Sequence, residues 1–255
     1  MWNDNDTRID FIDFQHLISA VTTIIDNDNL LPCTIGLYGD WGSGKSSLMQ
    51  MVEAHYENDK DVLSIKFNGW LFEGYENAKT VLMGTILDEL IKKRTLTEKG
   101  KKLALKLLKK IDWMKLATAG VKSGLGFLAL GPVGLSLGAL DTKTVIDQLS
   151  KAEYEDYVKE NVESKNQRGE SLRMGLREFH NDFSELLKET KVEKLIVFID
   201  DLDRCNPNTV IDTLEAIKLF LFVENSAFII GADERLIKYA VKKRCPPSPH
   251  QRLNF

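Results

Sequence analysis

The densest chemical signal in the chain is GDWGSGKSS, from Gly39 to Ser47. Gly39, Gly44, Lys45 and Ser46 satisfy G-x-x-x-x-G-K-[ST], directly after a strand-like run and before a helical one. Glycines let the backbone wrap so that successive N–H groups converge on phosphate oxygens, and the helix starting near Lys45 adds the positive end of its dipole. The Lys45 ammonium is a point charge for β- and γ-phosphates, and the Ser46 hydroxyl can ligate Mg2+. The spacing therefore predicts a site for ATP and Mg2+, with Asp40, Trp41, Gly42, Ser43 and Ser47 completing the loop.

A second signal is LIVFIDDLDRC, an apolar run that ends on two acids. A carboxylate at the C-terminal edge of a strand beside a phosphate loop can hold the water shell of Mg2+, and Asp200 takes that role. Its neighbour Asp201 points elsewhere along the chain and is the candidate to orient the attacking water or accept its proton. Asp203 and Arg204 are read as supporting residues, pairing locally or capping the helix that begins near Pro207. Other chemistries find no support. His16, His55, His180 and His250 show no metal spacing, and no nucleophile elbow or paired Cys/His arrangement occurs.

Positioning these residues requires strands and helices in alternation. Short β-branched or aromatic runs at 34–38, 62–67, 195–199 and 227–231 read as buried parallel strands. Helical periodicity occupies 14–27, 45–57, 76–93, 101–116, 152–188, 208–222 and 233–243. The expected fold is α/β, three layers around a mostly parallel sheet. About 125 residues separate the second and third strands, far more than a crossover needs, so a helical insertion is expected at 92–190. One further strand lies in sequence between the loop strand and the acidic strand, the arrangement expected when those two are not neighbours in the sheet.

The insertion has unusual chemistry. Residues 92–122 hold eleven basic and two acidic side chains, and residues 123–140 run uncharged with five glycines and one proline. A basic amphipathic helix leading into an apolar run reads as a membrane-surface segment, and equally as a solvated helix before a buried hairpin turning at Gly131 and Pro132. A single crossing is excluded, because it would separate the two halves of one site, and eighteen uncharged residues are too few for two spans.

Composition bounds the rest. The chain has 255 residues, 43% hydrophobic and 28% charged, enough for a sizeable core. Its net charge of -4 supplies no global field toward nucleic acid, and few aromatics interleave the lysines of the basic segment, which argues against a DNA contact there. Three scattered cysteines, Cys33, Cys205 and Cys245, and an acidic, polar start point to a cytoplasmic protein. Segment 92–140 would allow a peripheral seat at the inner face of the cell membrane.

Taken together, GDWGSGKSS, FNGW at 67–70, the ENAK stretch after it, FIDDLDRC and LEAIKLFL at 214–221 resemble the KAP family of P-loop NTPases. The resemblance implies a single P-loop domain over 1–255, with membrane-associated helices in the insertion. It also implies an ATPase acting as a regulated switch, in a family whose bacterial members are associated with phage defence. By the same resemblance Lys45 and Ser46 bind phosphate and magnesium, Asp200 is the magnesium carboxylate and Asp201 the water activator. Asp233 stands where such ATPases place a polar residue that senses the γ-phosphate, and it equally fits an N-cap for the helix ERLIKYAVKK. Trp41 and Trp70 are expected to pack rather than stack on adenine. Gly69 replaces the family's alanine.

After the fourth strand the chain runs into CPPSPHQRLNF, so the fifth strand and helical lid that the resemblance implies are not found, and the chain reads as a truncated member. An exposed edge beside the loop strand, with self-association or a protein partner, is expected to follow. Two other readings stay open: a nucleotide-binding scaffold with little turnover, and a DNA-associated ATPase.

Overall fold

The computed structural model describes residues 6–72, 78–118, 170–220 and 223–244. The apolar run at 123–140, most of the first half of the helical pattern at 152–188 and the Pro-rich end lie outside the described residues.

Four strands form one parallel sheet: β1 (Cys33–Tyr38), β2 (Val62–Asn68), β3 (Lys194–Asp200) and β4 (Ser226–Ala232), in the order β1-β4-β3-β2. The strand of the phosphate loop and the strand of the acids are therefore not neighbours, as the sequence pattern predicts, and β4 is the strand between them. Of the two inner strands, β4 is buried along its whole length, whereas β1 at the edge alternates half-buried and exposed residues. Among the described residues β1 pairs with β4 alone, and Thr34, Gly36 and Tyr38 face solvent.

The chain divides into two compact units, one made of 1–78 and 194–255, the other of 79–193. In the first unit, α1 (Gln15–Asp26) and α2 (Lys45–His55) cover one face of the sheet. Strand period decides which residues they meet: Ile196 and Phe198 of β3 and Ala227 and Ile229 of β4 pack with Ile25, Met49, Val52 and Tyr56. Intervening residues turn to the other face, where Phe228 meets Phe220 of α6 (Pro207–Phe220) at a ring separation of 5.8 Å. α6 packs in turn on α7 (Glu234–Arg244). The result is the expected α/β three-layer arrangement. Each large apolar side chain buried there contributes about 1.5–3 kcal/mol of transfer free energy.

The second unit contains α3 (Ala78–Lys93), α4 (Glu98–Thr118) and α5 (Glu170–Glu189). α4 packs on α5, and Leu103, Ala104, Leu107 and Leu108 are buried, as are Phe179, Phe183 and Leu186. Its lysines meet carboxylates of α5: Lys99 Nζ lies 2.8 Å from both Glu185 and Glu189, and Lys106 Nζ 2.8 Å from Asp182. A membrane-surface helix needs its apolar face free. Through Leu108 that face of α4 is buried, so this stretch fits the solvated-helix alternative. Among the described residues no helix is long and apolar enough to cross a membrane.

Candidate nucleotide-binding site

The loop from Gly39 to Gly44 follows β1 without a break, its first N–H still donating to the carbonyl of Ala232 in β4 at 3.4 Å. Gly42 and Gly44 have φ of +78° and +86°, a conformation that side chains with a Cβ adopt at a cost of about 1–2 kcal/mol. These two left-handed steps turn the chain into α2. Gly39 leaves room for Ser43 instead, since a Cβ there would fall 2.5 Å from Ser43 Oγ and 3.2 Å from its Cβ. Gly44 is the N-cap of α2 and, having no side chain, leaves the first-turn N–H groups without a side-chain cap. Such donors are the standard partners of a phosphate.

Lys45 arches back over the loop, its Nζ donating to the carbonyls of Gly39 and Asp40 at 2.9 Å each. The Ser46 hydroxyl lies close enough to the Asp200 carboxylate to favour its ionised form, so the helix start and the end of β3 meet at this acid. Burial pushes the Asp200 carboxyl above its usual range, only partly offset by the bonds from Ser46 and from the Asp201 N–H at 2.9 Å. A half-buried carboxylate with two more acids close by in sequence and a hydroxyl on it is a hard-oxygen donor set that fits Mg2+. Among the described residues no cluster of three His, Cys, Asp or Glu gathers for a metal. Ser47, assigned to the same loop, instead accepts the Thr7 N–H at 3.2 Å.

Asp201 sits at φ +54°, the N-cap of a 3-10 turn over Leu202–Arg204. Both its oxygens are engaged: Asn68 Nδ2 donates to Oδ2 at 2.8 Å, and Arg204 Nε pairs with Oδ1 at 2.8 Å. Arg204 thus pairs locally, with Asp201. Neither it nor Asp203 caps α6, whose first turn is bonded by Asn206 Oδ1. Asn68 stands opposite Asp200 in the β2–β3 register, and its own Oδ1 accepts the N–H groups of Trp70 and Leu71. Its role in holding Asp201 is one the sequence reading missed. The available signal was FNGW at the end of a strand paired with the acidic one.

Asp233 caps α7: its Oδ1 accepts the Arg235 N–H at 2.8 Å, and its own N–H donates to Asp203 Oδ2 at 2.8 Å. The Arg235 guanidinium beside it holds its carboxyl down at about 2, with the Lys45 charge contributing. The N-cap expected of Asp233 is present. Trp41 and Trp70 are 81% and 51% exposed rather than packed away, since both lie just past the end of a strand.

The glycine-rich loop after a parallel strand, its lysine and serine, and an acid on a strand two places away in the sheet define a P-loop nucleotide-binding domain. The KAP family P-loop domain matches residues 14–251, and the chain belongs to that family. It is also similar to the uncharacterized protein MJ0182 of Methanocaldococcus jannaschii, 31% identical over 173 residues, which cover 63% of this chain and 84% of that protein.

Proposed function

We propose that this chain binds ATP with Mg2+ and hydrolyses it, its nucleotide state acting as a regulatory switch on a protein partner. The observation that carries the reading is the P-loop itself, in which Gly42 and Gly44 take left-handed φ and Lys45 arches back onto the Gly39 and Asp40 carbonyls, with Ser46 close enough to Asp200 to act on its carboxylate. Gly39 to Ser46 supply the phosphate cradle, Ser46 and Asp200 would hold Mg2+, and bound Mg2+ would neutralise charge on the phosphates. Asp201 is the group assigned to the attacking water. Asn68 and Arg204 fix its carboxylate, and each oxygen keeps a second lone pair to accept from that water. Resemblance to the family supports a setting in defence against phages.

The test is ATP binding together with single-turnover hydrolysis. Lys45→Ala should weaken ATP binding itself, because neutral N–H donors alone remain. Asp200→Asn should remove the Mg2+-dependent part of the affinity. Asp201→Asn should still bind ATP and hydrolyse it about 10²- to 10⁴-fold more slowly. A parent chain that binds ATP and never cleaves it would replace the enzyme by the scaffold reading.

A further inference from the structure

One cation of the site belongs to none of the sequence motifs. Arg235, the second residue of α7, donates through Nε to Asp233 Oδ1 at 3.1 Å and through Nη2 to Asp233 Oδ2 at 2.6 Å. The same Nη2 reaches Asp40 Oδ1, in the phosphate loop, at 2.6 Å, across 195 positions of sequence. A single guanidinium thereby spans from the turn after β4 to the rim of the loop.

The two ends of this bridge differ. Asp233 is only 13% exposed and also serves as the helix cap, so it is a fixed anchor. Asp40 is 80% exposed, and an ion pair open to water is weak and readily exchanged. A carboxylate in a loop built to bind a polyanion opposes its own ligand unless a cation answers it. Lys45 bonds the Asp40 carbonyl while Arg235 bonds the Asp40 carboxylate, so both cations lie against the same stretch of loop. Arg235 also lies on the side of the acids, since its anchor Asp233 is held by Asp203 of the turn that follows Asp200. Carboxylates that act on the terminal phosphate mark the end of the cradle where that phosphate belongs.

We infer that Arg235 reads the terminal phosphate of a nucleoside triphosphate, and that Asp40 is a built-in stand-in for that phosphate, holding the guanidinium at the rim until the phosphate displaces it. The inference rests on the nucleotide reading and adds to it the discrimination of triphosphate from diphosphate. A phosphate oxygen offers the planar guanidinium the same charge-assisted geometry that the Asp40 carboxylate does, with more charge.

Binding of ATP and of ADP, each with Mg2+, is measured for the parent, Arg235→Ala, Arg235→Lys and Asp40→Asn, with thermal unfolding to check folding. Arg235→Ala should lose about 10- to 100-fold in ATP affinity, the range for a hydrogen bond to a charged group, and less than about 3-fold in ADP affinity. Arg235→Lys should fall between, keeping the charge without the fork. Asp40→Asn should bind ATP a few-fold more tightly. Equal losses for ATP and ADP in Arg235→Ala, or none, would overturn the assignment, since a purely structural bridge moves both alike. Weaker ATP binding in Asp40→Asn would overturn the stand-in. A parent that binds neither nucleotide overturns the nucleotide reading itself, a result distinct from equal losses.

Discussion

Adding one methyl group at either of two glycines separates tight packing from mere proximity. A Cβ on Gly231 would lie 2.6 Å from Met49 Cε and 3.1 Å from Asp200 Oδ1. A Cβ on Gly36 would lie 2.7 Å from the Tyr38 ring, an equally short contact. The neighbours decide the outcome. Met49 is 4% exposed inside the α2–sheet core, so it can move only by repacking the side chains around it, whereas Tyr38 is 56% exposed on the edge strand and can swing into water. Overpacking a core costs about 1–3 kcal/mol, and because the clashing atom ends a flexible methionine the lower part of that range applies, about 1–2 kcal/mol. Gly→Ala returns about 0.4–1 kcal/mol by restricting the unfolded chain. Gly231→Ala should therefore be net destabilised, and Gly36→Ala unchanged or slightly stabilised. At roughly 2–4 °C per kcal/mol for a domain of this size, thermal unfolding monitored by circular dichroism resolves the difference. The Asp200 carboxylate must also give by a few tenths of an ångström in Gly231→Ala, so its affinity for ATP should fall more with Mg2+ than without. Equal melting temperatures for the two variants, or a lower one for Gly36→Ala, would refute the reasoning.

Two further outcomes follow from the charges. Burial raises the Asp200 carboxyl, so its ionised form costs folding free energy at neutral pH; Asp200→Asn should melt higher than the parent without nucleotide and lose the stabilisation that Mg2+ with ATP confers, and no rise in melting temperature would count against that carboxylate being strained. In the helical unit, Asp182 raises the Lys106 ammonium above its usual 10.5, so the pair stabilises fully below that value and is lost as pH rises through the higher folded one; Lys106→Met should be less stable than the parent in urea at about pH 8, with the gap closing at strongly alkaline pH, and a gap independent of pH would refute the pairing.

Much of the site could be read directly from the chain. GDWGSGKSS, LIVFIDD and the four strand runs are local signals: the turn needs glycine at fixed offsets, and a buried strand needs an uninterrupted apolar run, so both are legible within a window of ten residues. The order of strands in sequence also indicated that the loop strand and the acidic strand are not neighbours, as the sheet order bears out, but which strand separates them, β4, came from the structure. Helix periodicity located all seven described helices, with bounds differing by a few residues where caps rather than apolar spacing end them, apart from the start of the 152–188 pattern, which lies outside the described residues.

Tertiary structure decided which polar groups meet. Asn68 and Asp201 are 133 residues apart, and Asp40 and Arg235 are 195 apart. Neither pairing leaves a periodic trace, because a hydrogen bond across a sheet depends on register and on which strand edge the residues share. The lysines of α4 show the same limit: a basic run looks alike in sequence whether it faces lipid or the carboxylates of Asp182, Glu185 and Glu189. Trp41 and Trp70 show it in reverse, since a large aromatic side chain predicts burial and their place just beyond a strand end leaves them in solvent. Apolar patterning and turn chemistry are properties of neighbours along the chain, whereas partner choice among charged and polar groups is settled only when packing of the sheet and helices brings distant segments within hydrogen-bonding distance.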